Sequence, residues 1–166
     1  LAVTGAYYGE GEQWVGYNKT GLYKSIDDGA SWGKLTINTP EGTAYEPNDI
    51  EIGADNSIWI GTERNPFGHG GGIILKSIDG VSFNKVHTIT NARRTEIAVS
   101  GTNANTVYVL AHVRTVDGGG NLTAPYLSMI KTTDGFTNTT AMGLPSDADN
   151  DISSLDFTRG QAWYDL

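Results

Sequence analysis

Carboxylates recur at matched places in this chain. Asp49, Glu96 and Asp165 each stand near the start of a segment of similar character, the first two followed by alternating polar and apolar residues. Acids gathered in that way could bind a cation or, as a pair, cleave a glycosidic bond. Acids solvated around a channel mouth are the plain alternative. Three glycine-containing stretches offer a second kind of chemistry. Residues 6–18 carry Tyr7, Tyr8, Trp14 and Tyr17 among glycines and acids, residues 63–72 combine Arg64, Phe67 and His69, and residues 114–121 are polar. Exposed aromatic rings stack on sugars while neighbouring amides and carboxylates bond the hydroxyls; the same rings would serve equally as packing between strands. His69, His87 and His112 show no metal-ligand spacing. With no cysteine, disulfides and thiolate metal sites are excluded. No metal and no cofactor is expected. The glycine run at 68–72 lacks the lysine and following helix of a phosphate loop, and neither a Ser-His-Asp order nor a zinc motif is present.

The elements that must position these residues are short strands. Glycine contributes 22 of the 166 residues, about twice the usual 7 %. Charged residues make up only 18 %, and threonine and asparagine are plentiful, a mixture suited to strands joined by many turns. Eleven basic residues against nineteen acidic ones give a net charge of −8, which argues against a nucleic-acid partner because phosphate binding needs clustered positive charge. No apolar run approaches the roughly 18 residues needed to span a bilayer. The chain opens on Leu1 without an initiator methionine or a signal peptide.

Internal repetition sets the expected architecture. Ser25, Ser77 and Thr132 head matching segments at intervals of 52 and 55 residues. In phase with them, residues 57–62 match 106–111, with 1–5 in the same slot, and residues 48–52 match 95–99. The unit therefore predicts strand a at 48–53, b at 57–62, c at 73–77 and d at about 83–89. It recurs as a at 94–100, b at 106–113, c at 126–132 and d within 136–158. Four antiparallel strands at a period near 50 describe one blade of an all-β propeller. Residues 1–40 then end a first blade, 46–90 form a second, 93–158 a third, and 161–166 open a fourth. Two whole blades and two partial ones cannot close a ring of four to eight, so a segment of a longer protein is expected, its partner the remainder of its own propeller. In such a blade the b–c loops and d–a connections share one end, the a–b and c–d turns the other.

The segment Ser25-Ile26-Asp27-Asp28-Gly29-Ala30-Ser31-Trp32 resembles the Asp-box, or bacterial neuraminidase repeat, of sialidase-like and sortilin-like propellers. Degenerate copies follow at Ser77, Asp79, Gly80 and Phe83 and at Thr132, Asp134 and Gly135. These residues are read as structural: the aspartate accepts backbone N–H bonds within the turn, Gly29, Gly80 and Gly135 allow a positive φ, and Trp32 and Phe83 cover it. The resemblance also implies what catalysis would need. Sialidases hold a substrate carboxylate with three arginines and use a Tyr–Glu nucleophile pair with an acid Asp. Arg64, Arg93, Arg94, Arg114 and Arg159 are available here, but the Phe/Tyr-Arg-Ile-Pro signature is missing. Xyloglucan-cleaving propellers set two acids across a cleft between two rings, which one partial ring cannot reveal. The repeats further resemble large secreted proteins of Bacteroidetes-type bacteria that carry type IX sorting domains, which implies a secreted or cell-surface location.

The expected function is a non-catalytic module that recognises a glycan or an extracellular protein, or serves as a scaffold. Its candidate ligand-binding residues are Tyr7, Tyr8, Trp14, Arg64, Phe67, His69, Asp49 and Glu96. The alternative is part of a glycoside hydrolase whose other catalytic residues lie outside these 166.

Overall fold

The computed structural model describes residues 1–4, 7–9, 13–15, 19–145, 158 and 161–162, with the backbone path alone for the strands before residue 16. The described residues are all-β, without a helix. Strands β1 (Ala2–Thr4), β4 (Gly21–Lys24) and β5 (Gly33–Leu35) form a three-stranded antiparallel sheet in the order β1-β4-β5. The connection from β1 to β4 contains a hairpin of β2 (Tyr7–Gly9) and β3 (Gln13–Val15). The stretch read as a b–c loop, with strand membership of its aromatic residues as the equal alternative, pairs with itself, Tyr8 opposite Trp14, as aromatic residues on either side of a glycine favour.

Two four-stranded antiparallel meanders follow. The first is β6 (Glu46–Ile52), β7 (Ile58–Glu63), β8 (Ile73–Ser77) and β9 (Asn84–Thr88). The second is β10 (Ala92–Val99), β11 (Val107–Val113), β12 (Tyr126–Thr132) and β13 (Thr140–Ala141). These are the strands expected from the repeat, except that β13 is reduced to two residues. Of the strand expected at 161–166 only Gln161 and Ala162 are described, and neither is in a strand; the rest, Asp165 included, lies outside the described residues.

The middle meander is buried on both faces, and its sequence says so. Side chains alternate across a strand, and in β7 both alternating sets are apolar. Ile58 and Ile60 face the first sheet with Leu75, where they meet Leu22 and Leu35. Trp59 faces the second meander with Ile74, where they meet Ile97, Val107 and Val109. Trp59 is fully buried, and its indole N–H donates to Ser57 Oγ at 2.9 Å.

Where the two meanders meet, backbone approaches backbone. A Cβ on Gly61 would lie 2.5 Å from Thr95 O, so only glycine lets β10 come this close to β7. The Thr95 hydroxyl bridges the gap, accepting from Thr62 N and donating to Thr62 O, each at 2.9 Å. Strand β10 is the edge of its sheet, and unpaired edge groups must be covered. Side chains of β6 cover them: Asn48 Nδ2 donates to Thr95 O at 2.9 Å, and Asp49 Oδ2 accepts from Ile97 N at 2.7 Å. The pairing of β6 with β7 shifts register between Pro47 and Asp49, and that of β10 with β11 between Ala92 and Arg94. Each shift takes one residue, Asn48 or Arg93, out of the ladder and re-aims its side chain.

A methyl group at Gly61 would press on the Thr95 carbonyl oxygen at 2.5 Å and on the Thr95 hydroxyl at 3.2 Å. Gly61→Ala is expected to lower the unfolding free energy by about 1–3 kcal/mol. Gly101→Ala, where nothing lies within 4 Å of the added atom, should change it by less than about 0.5 kcal/mol. Denaturant unfolding of the two variants checks both.

Candidate functional site

The meanders have two chemically different ends. At one end lie the turns after β6, β8, β10 and β12, where a Cβ on Gly53 would reach Ala104 Cβ at 3.1 Å. The turns after β4, β8 and β12 share a design. In the first, Ser25 Oγ donates to Asp27 Oδ1 at 2.7 Å and accepts from Gly29 N at 2.8 Å, while Asp27 accepts from Ser31 N at 2.9 Å and from the Ser31 hydroxyl. In the second, Asp79 Oδ1 accepts from Val81 N and Ser82 N at 2.8 and 2.7 Å, and from Ser77 Oγ at 3.0 Å. In the third, Asp134 accepts from Thr132 Oγ1, Asn138 N and Asn138 Nδ2. Gly29, Gly80 and Gly135 have φ of 89°, 67° and 69°. Trp32 lies over its turn, donating from Nε1 to Gly29 O at 3.1 Å. Phe83 packs into the core beside Leu75 and Leu22. These hydrogen bonds stabilise the ionised carboxylates, Ser31 first for Asp27, and Asp27 is held down to about 2. Asp79, through the Ser82 and Val81 amides, and Asp134, through Asn138, are likewise held below the usual carboxylate range. All three carboxylates are thus engaged within their own turns.

At the other end the b–c loops are built differently. Asn65 is buried and organises the loop that follows β7. Its Oδ1 accepts from Phe67 N at 3.0 Å and His69 N at 2.9 Å, and its Nδ2 donates to Thr43 Oγ1 and Ala44 O. Phe67 at the tip is left 55 % exposed. His69 Nδ1 lies 3.2 Å from Thr43 Oγ1. The glycines explain how closely this loop approaches the next sheet: a Cβ on Gly71 would meet Ala92 O at 2.7 Å, and one on Gly72 would meet Ile89 O at 2.4 Å.

That approach gathers three cations. Arg64 follows β7, Arg114 follows β11, and Arg93 sits at the register shift in β10. With Asn91, Val116 and Leu122 they line a cavity of about 330 Å3. Arg64 N donates to Arg93 O at 2.6 Å, and Arg114 N to Asn91 O at 3.1 Å. Arg64 Nε donates to Gly68 O and Arg114 Nε to Thr123 O, each at 2.9 Å. Burial first, then the positive charges of Arg64 and Arg114, pulls the Arg93 guanidinium down from its usual range.

The acids Asp49 and Glu96 stand at the contact between the meanders. Glu96 Oε1 accepts from Arg94 Nε and Nη2 at 3.0 and 2.9 Å and from Asn48 Nδ2 at 2.8 Å. Burial raises the Glu96 carboxyl and the Asp49 charge adds to it, against the opposing bonds from Arg94 and Asn48. Burial also raises Glu63, which stands opposite Glu46 in the β6–β7 ladder, against the opposing Arg94 charge. Among the described residues no group of three or more His, Asp or Glu could hold a metal ion, and no helix is long and apolar enough to cross a membrane. Tyr7, Tyr8 and Trp14 lie on the β2–β3 hairpin, their side chains outside the described residues.

Comparison of the chain with family models, with curated proteins and with solved structures finds no match. Arg93 and Arg114 were named from sequence only among the arginines available to a sialidase-like triad, and Asn65 and the Glu46–Glu63 pair were not singled out. The one available signal was that an arginine directly follows strand b in both repeats.

For the turn end the pH dependence has a definite sign. The Asp27 carboxyl titrates below its ordinary 3.8, so its contribution is fully present above that value and is lost as pH falls through about 2. An NMR titration is expected to place the Asp27 carboxyl midpoint near 2, with the Ser31 amide losing its hydrogen-bonded shift in the same window. A midpoint near the ordinary value would contradict the turn geometry.

Proposed function

We propose that this chain is a segment of an Asp-box β-propeller and acts as a non-catalytic recognition module of a larger secreted or cell-surface protein, its ligand a glycan or an extracellular protein met at the b–c loop end. The two meanders, with the three-stranded sheet before them, supply the repeated units that such a ring is built from. The three Ser/Thr-x-Asp turns support the Asp-box resemblance, since each closes on its own aspartate.

A single observation carries the choice of end. At the turn end the three motif aspartates bond within their own turns, whereas at the loop end Arg64, Arg93 and Arg114 line one cavity and Phe67, in one of the same loops, is exposed. Loops displayed on a rigid scaffold are where binding concentrates. A cavity of about 330 Å3 is at the small end of ligand pockets, which favours a sugar ring over a long peptide. The state of the acids supports a role without turnover: Asp49 is engaged with the Ile97 amide, and one oxygen of Glu96 holds three donors.

Glycan-array binding by the chain is expected to fall at least about tenfold for Phe67→Ala, Tyr8→Ala or Trp14→Ala. Chromogenic glycosides should remain intact in its presence. Hydrolysis that disappears with Asp49→Asn or Glu96→Gln would replace this reading with the glycoside hydrolase one.

A further inference from the structure

We propose that Arg64, Arg93 and Arg114 form a binding site for a tetrahedral oxyanion carried on a glycan, a sulfate or phosphate ester. This rests on the reading of the loop end as a glycan-recognition surface and names the group recognised there.

The charge pattern comes first. Three cations share one cavity in a chain of net charge −8, yet no carboxylate among the described residues neutralises them. The ion pairs found there are Lys76 with Asp55 and Arg94 with Glu96. Arg94 is therefore matched by an acid beside it, while its neighbour Arg93, taken out of the ladder by the register shift, joins two further arginines. Like charges brought together, Arg93 and Arg114 half-buried and Arg64 exposed, are unfavourable. An anion between them removes that repulsion and adds charge-assisted hydrogen bonds.

The site is also pre-ordered. The Nε bonds of Arg64 to Gly68 O and of Arg114 to Thr123 O hold both guanidinium groups while leaving their terminal Nη groups for a ligand. Gly68, at φ 89°, makes room for this: a Cβ there would meet Arg64 Nη2 at 3.0 Å. Side chains ordered in advance lose less entropy on binding. Three donors from three separate segments match the three terminal oxygens of a sulfate or phosphate ester, whereas a carboxylate offers two. Val116 and Leu122, 59 % and 49 % exposed, supply apolar wall for the ring that bears the ester.

Calorimetric titration of the full chain tests this with a sulfated oligosaccharide, a hexose phosphate, the same oligosaccharide after chemical desulfation (its uronate carboxylates intact) and a polyglutamate peptide. Binding of the sulfated or the phosphorylated ligand is expected, whichever is tighter naming the ester. Desulfation, and Arg64→Gln or Arg114→Gln, should each weaken it at least about tenfold. Competition by inorganic sulfate at constant ionic strength gives the same answer in the unaltered chain. Equal binding of the desulfated oligosaccharide or of polyglutamate, or indifference to free sulfate, overturns the proposal. If neutral glycans bind and esters confer no advantage, the oxyanion site falls and the glycan reading stands. If no glycan of any kind binds, both fall.

Discussion

The contact between β7 and β10 sets how the two meanders sit on one another. Two sheets that pack through side chains alone stand about 10 Å apart, but here one threonine hydroxyl spans backbone to backbone, opposite a residue with no side chain. Thr95 both accepts from and donates to Thr62, and Gly61 is the vacancy that permits it. A buried amide without a partner costs about 1–3 kcal/mol, so neither strand can slide along the other without leaving such a group. Asn48 and Asp49 complete the arrangement by covering the open edge of β10. An edge strand is thereby paired without adding another strand to the sheet.

The arginine cluster at the loop end inherits its position from that contact. Once β10 is fixed against β7, the start of β10 lies beside the loop that follows β7, and glycines 71 and 72 absorb the crowding. Arg64 and Arg93 then share a backbone hydrogen bond, and Arg114 joins them from the next loop. The repeated turns at the opposite end are independent of it. Each satisfies its own aspartate within a few residues, so their chemistry is local and closed. An acidic chain thus carries a local cluster of positive charge, a distribution that net charge conceals.

The meander strands were legible in the sequence because their signal is local and repeated. Alternation in 48–52 and 95–99, the serine- and threonine-headed turns, and the doubly apolar run of β7 each declare a strand or a turn without reference to distant residues. The hairpin at 7–15 was harder to read, because aromatic residues among glycines suit a strand and a displayed loop equally. Phe67 and Arg64 stood out by type, but the role of Asp49 did not: an acid at a strand start looks alike whether it faces a channel or accepts an amide from the neighbouring sheet.

Residue order alone determined the all-β class, the repeat spacing and the self-contained aspartate turns, since each depends on interactions spanning only a few residues. Tertiary structure alone decided that Arg64, Arg93 and Arg114 share one cavity and that Asn48 and Asp49 cover a strand edge. The physical reason is that these groups sit on different sheets or loops, at positions with no common period. Two of them, Asn48 and Arg93, are aimed by register shifts that alternation does not foresee. Only the packing of one sheet on the next brings them together.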